Sequence, residues 1–293
     1  MRHILNSNKK CGHYLPLVTL NLSKLLFPTI AADRWRFILH SRACADERMA
    51  LHTRGEDLDK RDFFHYLLEA VDPETGAVGF GQGEMWGEAN VLMIAGSDTT
   101  ASALSASMYY LVQNPDKLRK LQHEIRNKFT SVAEIVTGKD LAECVYLKAC
   151  IDEAMRLCPP VPGLLPREVV TATGMTVDMT KETGKKYFFP QGTVLGVNTY
   201  TLHHSPTHYP SPYTYTPERW LSPSEGGSAH SPDDLEKARA AYAPFSIGSR
   251  GCIGKTLAMM ELKLVLARMA FEWEVEGVWG VRGKGECWEG GYR

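Results

Sequence analysis

Ten residues, Phe245 to Gly254, carry the chain's most reactive arrangement. The stretch FSIGSRGCIG sets one cysteine, Cys252, among Gly248, Gly251 and Gly254. After it, Lys255 to Phe271 holds neither proline nor glycine and reads as a long helix. Backbone N–H groups ahead of a helix are free to point at the sulfur. With the positive end of the helix, they favour the thiolate over the thiol. Glycines let backbone approach a flat, bulky ligand closely. Arg250 adds a fixed positive charge for a ligand carboxylate. Such a thiolate suits a metal ligand or a nucleophile. A nucleophile needs a base, and no histidine lies near Cys252 in sequence. Zinc needs several ligands, and Cys252 has no CxxC companion. One thiolate as sole protein ligand points instead to iron already held by a macrocycle, that is, haem. The plain alternative is a free cysteine in a loop before a helix.

Three further groups of residues stand out. Gly87 to Gln113 reads as one long apolar helix with an odd middle, Ala95-Gly96-Ser97-Asp98-Thr99-Thr100. Glycine inside a helix costs about 1 kcal/mol against alanine. The Thr99 hydroxyl can bond back to the Ala95 carbonyl and loosen or bend the helix; the alternative is close packing through small residues. Glu153 and Arg156 lie three apart on a helix from Tyr146 to Leu157, stopped by Pro159-Pro160. Alone they read as an exposed ion pair worth under ~1 kcal/mol. His203, His204 and His208 cluster, but Pro206 forbids a helical metal-binding face.

These residues need positioning elements. From Tyr14 to Leu68 the pattern is mixed helical. Trp35, Ile38, Leu39 and Ala43 share one face, Asp46 to Lys60 is charged, and Arg61 to Leu68 is a short helix. Asp72 to Gly76 is a turn. Asn114-Pro115 ends the long helix and starts another, with Asn114 as N-cap and Leu118, Leu121, Ile125 and Phe129 as core. Short strands are expected around Arg167–Val170, Met175–Val177, Tyr187–Phe189 and Val194–Asn198. Pro223 to Pro232 is the most loop-like stretch. Across 293 residues the net charge is −1, which argues against nucleic acid as a partner. Seven cysteines without paired spacing suggest reduced thiols and a cytosol-facing location. No apolar run reaches a membrane span.

Phe245, Gly248, Arg250, Cys252 and Gly254 match FxxGxRxCxG, and here the chain resembles the cytochrome P-450 family. That family is the standing example of cysteine-ligated haem iron. AGSDTT, EAMR and PERW occur ahead of FSIGSRGCIG in family order, and the likeness runs from about residue 33 to 273. The resemblance implies a mainly α fold with a small β-sheet portion, of which this chain holds the C-terminal part: central helix, ExxR helix, haem-binding loop and following helix. It implies haem on the Cys252 thiolate, with Phe245, Gly248, Arg250, Gly254, Ala95 and Gly96 around it. Arg167, after Pro166, would meet a haem propionate. Thr99 would hydrogen-bond iron-bound peroxide and Asp98 would relay protons, which is general acid work. Glu153, Arg156 and Arg219 would form a buried network under the haem-binding loop.

The implied activity is insertion of one oxygen atom from O2 into a small apolar organic substrate, with electrons from an NADPH-dependent P-450 reductase. KRDFFHYLLEAVDPETG, TYTLHHSP and YTYTPERWL look most like fungal members of secondary metabolism. Family members are longer at the N-terminus and are usually anchored to the endoplasmic reticulum; no anchor is read here. The expectation is one truncated domain over 1–293, with a Gly/Trp-rich tail from 274 to 293 that diverges and frays. The alternative to an enzyme is an inactive truncated member that binds haem weakly or not at all. A zinc or thiol-reactive protein using Cys252 ranks behind both.

Overall fold

The computed structural model describes residues 26–56, 61–77, 79–227 and 232–275. These residues are mainly helical, with two small antiparallel two-stranded sheets. Contacts divide the chain into two units, Met1–Asp98 and Thr99–Arg293.

The first unit holds α1 (Pro28–Thr53), α2 (Phe63–Glu69) and the start of α3 (Gln82–Gln113). Pro28 opens α1, where its missing N–H costs nothing. Asp62 caps α2 by accepting the His65 N–H at 2.9 Å. The same carboxylate takes two bonds from Arg48 of α1, at 2.7 and 3.1 Å, and that guanidinium holds Asp62 below the usual carboxylate range. On α1, Asp46 accepts from Trp86 Nε1 at 2.8 Å and Gln82 Nε2 at 3.1 Å of α3. The expected apolar face of α1 is not its buried one. Trp35, Leu39 and Ala43 are exposed, whereas Ser41 and Ala45 are buried. Asp46 and Arg48 add polar ties on that helix, and Arg42 lies over the Trp86 ring, 4.8 Å from its centroid. Asp72 forms the expected turn, its Oδ1 accepting the Glu74 and Thr75 N–H groups.

The second unit carries the large core. It takes in the end of α3, α4 (Pro115–Lys128), α5 (Val145–Leu157), α6 (Pro232–Ala240) and α7 (Lys255–Glu272). α7 packs on α4 and α5, burying Leu262 and Leu266 with Leu118, Leu121, Ile125, Leu147 and Ile151. Burying each such side chain is worth about 1.5–3 kcal/mol. Asn114 sits at the α4 N-cap but makes no side-chain cap bond there; its Nδ2 donates to the Tyr110 carbonyl at the end of α3, 2.8 Å away. The N-terminus of α5 is capped from a different helix. Glu124 of α4 accepts the Tyr146 and Leu147 N–H groups, both at 2.8 Å.

Between α5 and α6, β1 (Arg167–Glu168) pairs with β4 (Val194–Leu195), and β2 (Met175–Met179) pairs with β3 (Lys185–Phe189), opposing Met175 to Phe189. The first and last strands are shorter than the sequence suggests. Beyond them the contact shrinks to a single bridge between Leu164 and Asn198. A 3₁₀ turn at Pro217–Trp220 packs against α5. After α7, Glu274 is held by Arg126 at 2.6 Å and Gln122 at 3.2 Å. The expected tail lies outside the described residues from 276 onward. Among the described residues no helix is long and apolar enough to cross a membrane.

Candidate functional site

The cysteine loop is built from two backbone reversals. Ser246 adopts φ 59° and Gly248 φ 74°, both left-handed. Glycine takes that conformation freely, while serine is held there at a cost of about 1–3 kcal/mol. The Ser246 N–H donates to the Ala243 carbonyl at 3.1 Å, and a 3₁₀ turn follows over Gly248–Arg250. The Cys252 N–H then closes the loop onto the Phe245 carbonyl at 2.8 Å. Gly254 caps α7, and a Cβ placed on it would meet the Cys252 sulfur at 3.8 Å. Phe245 is half-buried against the core.

The loop is otherwise open. Cys252 is exposed and free, Ile253 is 97% exposed and Ile247 74%. Arg250 is exposed and pairs with no carboxylate among the described residues. Arg167 is also exposed and, among the described residues, donates only to the neighbouring Pro166 carbonyl, at 2.9 Å. Among the described residues no group of three or more His, Cys, Asp or Glu could hold a bare metal ion. Among the described thiols, Cys44 and Cys158 are exposed like Cys252, whereas Cys144 and Cys150 are buried, and burial pushes Cys144 up to about 11.

Behind the loop lies a closed polar centre. Glu153 and Arg156 on α5 are wholly buried. The Arg156 guanidinium places all five of its N–H groups. Nε and Nη2 donate to Glu153, each at 2.9 Å. Nη1 donates to the carbonyls of His203 at 2.8 Å and Pro212 at 2.7 Å, and Nη2 also donates to Thr214 at 3.3 Å. Glu153 also accepts from Arg219 Nε, Trp220 Nε1 and the Thr216 N–H, each at 3.0 Å. The lone-ion-pair alternative therefore does not hold: this pair is neither exposed nor isolated.

Ala95, Gly96, Asp98 and Thr99 lie on α3, which runs unbroken as α-helix through all of them. The expected loosening does not interrupt the helix. Ala95 and Gly96 are exposed. Asp98 and Thr99 are half-buried, and Asp98 Oδ2 is shielded from solvent with no hydrogen-bond partner among the described residues. Such an oxygen has hydrogen-bonding capacity left.

Two ties were not legible in the sequence. His203 Nε2 accepts the Ala243 N–H at 3.0 Å, and the Tyr242 hydroxyl donates to Asp152 Oδ1 at 3.1 Å. Each joins residues tens of positions apart, so no local spacing announces it. The nearest signal was the histidine cluster itself. It divides: His203 and His204 are buried, and His204 donates through Nδ1 to the Tyr200 carbonyl at 2.8 Å.

A family model described as Cytochrome P450 matches residues 10–279. Cytochrome P450 monooxygenase poxM of Penicillium oxalicum is 38% identical over 283 residues, 96% of this chain and 51% of that protein. Cytochrome P450 monooxygenase apf7 of Gibberella fujikuroi is 34% identical over 263 residues, 89% of this chain and 48% of that protein. This chain thus spans about half the length of these relatives. The crystal structure of a cytochrome P450, CYP102L1, matches with a TM-score of 0.65 at 24% identity over 86% of this chain and 52% of that one, a likeness of fold. With its thiol at the head of a helix and a family model spanning nearly its whole length, the chain belongs to the cytochrome P450 family.

Proposed function

We propose that this chain binds haem through the Cys252 thiolate and serves a monooxygenase that inserts one oxygen atom from O2 into a small apolar substrate. The observation that carries the reading is the Cys252 loop. Its sulfur is exposed, its backbone is pinned, and it is flanked by uncovered isoleucines and by an arginine that meets no carboxylate among the described residues. A flat apolar group with acidic edges fits that donor set. Ile247 and Ile253 offer apolar contact, and Arg250 and Arg167 offer charge to carboxylates. When bound, the haem supplies the redox chemistry of O2 activation, driven by electrons from an NADPH-dependent reductase. Asp98 would hold a proton at Oδ2 and Thr99 would direct it from its hydroxyl, a general acid arrangement. The Glu153–Arg156–Arg219 centre supports the loop and takes no part in chemistry. Similarity to fungal enzymes supports a place in secondary metabolism, and the protein would be cytosol-facing.

The test is expression of the full chain with haem supplied, followed by the reduced, carbon-monoxide-bound difference spectrum. A thiolate-type band in the parent that disappears in Cys252→Ala supports the reading. A variant spectrum matching the parent overturns the ligand. No haem uptake by the parent overturns the function and favours an inactive member. Where haem is taken up, Thr99→Ala is expected to keep it while diverting reducing equivalents to peroxide. Unchanged coupling would remove Thr99 from the proton path.

A further inference from the structure

The residues that approach the cysteine loop from behind form a tether. α5 reaches it by two routes. Arg156 Nη1 donates to the His203 carbonyl at 2.8 Å, and the ring of that same histidine accepts the Ala243 N–H at 3.0 Å. One turn earlier on α5, Asp152 accepts the Tyr242 hydroxyl at 3.1 Å. Tyr242 and Ala243 are adjacent, so two consecutive residues are tied to one helix, Tyr242 directly and Ala243 through His203. The rings of Tyr242 and His203 also stack, with centroids 5.5 Å apart and planes 26° from parallel.

From Ala243 the restraint passes along the loop by backbone geometry. The Ala243 carbonyl accepts the Ser246 N–H, which sets the left-handed turn at Ser246. That turn orients the Phe245 carbonyl toward the Cys252 N–H. Two hydrogen bonds therefore link the guanidinium of Arg156 to Ala243, a third closes the turn of Ala243–Ser246, and a fourth reaches Cys252.

The chemistry of the ring fits this use. A backbone N–H only donates, so His203 Nε2 must be unprotonated and the imidazole neutral, with its proton on Nδ1. Nδ1 is buried and has no partner among the described residues. A phenyl ring would fill the volume without that orphan. What the imidazole adds is the acceptor for Ala243. Burial favours this neutral form, pushing His203 down to about 4.

We propose that His203 is a positioning residue for Cys252, and that with Tyr242 it carries the placement of the Glu153–Arg156 centre into the cysteine loop. Its consequence for haem rests on Cys252 being the ligand; the tether itself does not.

The experiment compares the parent chain with His203→Phe, His203→Gln and Tyr242→Phe, all full length. Amide hydrogen exchange over residues 243–252 is measured without haem, and the carbon-monoxide spectrum with haem. His203→Phe is expected to exchange the Ala243 amide about tenfold faster, the effect of one lost buried hydrogen bond. Its thiolate-type share of bound haem should fall several-fold. His203→Gln returns an acceptor near the Nε2 position and should restore protection to within about threefold of the parent. Tyr242→Phe keeps the ring and should give a smaller rise, about threefold. Unchanged exchange in His203→Phe, or a Gln variant as unprotected as the Phe variant, overturns the proposal. Should His203→Phe yield no folded protein, the Gln variant decides: retained protection supports the tether and lost protection overturns it. A parent that takes up no haem defeats the proposed function alone, since the exchange comparison still decides the tether.

Discussion

The Glu153 centre and the Cys252 loop are opposites in their treatment of polar atoms. At Glu153 every donor of Arg156 is used and both carboxylate oxygens are shared among α5, Arg219 and Trp220, all out of solvent. At Cys252 only the backbone is satisfied among the described residues, while the thiol and the Arg250 guanidinium are exposed. A saturated buried network has nothing left to offer a ligand, so its worth is structural. An open set of groups on a pinned backbone gains its partners from outside. The same chain thus holds charge for two purposes, and solvent access distinguishes them.

The sharpest way to break this contrast is to empty the closed centre. Glu153→Ala leaves Arg156 and Arg219 as buried cations and should cost ~3–5 kcal/mol, read as a lower urea midpoint or loss of folded protein. A small change would mean that the centre is not what holds α5. The next effect is one of pH. Burial, aided by the charge of Arg156, pushes His203 down to about 4. The unfolded imidazole titrates near 6.5, so it takes up protons first as pH falls. Stability is therefore full above about 6.5 and declines toward about 4, by at most ~3 kcal/mol. Glu153, Arg156, His204, Tyr209 and Tyr242 surround the ring, and none of them reverses that sign. Thermal melts across this range should show the decline in the parent and a flatter profile in His203→Gln.

Smaller effects sharpen the comparison. Glu124→Ala strips two N–H partners from the start of α5 and should cost about 1–2 kcal/mol in a denaturant titration. Cys252→Ala should be nearly silent in the same titration without haem, within about 0.5 kcal/mol, because the thiol is exposed and unbonded. A large loss there would mean that Cys252 is a structural residue after all.

What could be read from residues alone was what lies close in sequence. The glycine spacing around Cys252, the three-residue step from Glu153 to Arg156, the proline that opens α4 and its buried stripe from Leu118 to Phe129 are local patterns, and each corresponds to a described element. Partners chosen by tertiary packing were not legible. Asn114 turns back to the Tyr110 carbonyl, one turn away at the end of α3, and leaves the start of α4 without a side-chain cap. α5 takes its cap from Glu124, on α4. Trp35 and Leu39 share a helical face that their own unit leaves exposed. For the histidines, spacing argued only about metal, while their bonds run to Tyr200 and Ala243.

The reach of Arg156 also bears on how the protein is made. Its carbonyl partners lie 47 to 58 residues downstream, and Glu153 draws its last donor, Trp220, from 67 residues away. Until that stretch has emerged from the ribosome, two opposite charges on α5 have only each other and water. The helix therefore gains its burial late, by closing long loops, a slow class of folding event. A nascent chain that stalled short of Trp220 would present those charges to quality control as unfinished.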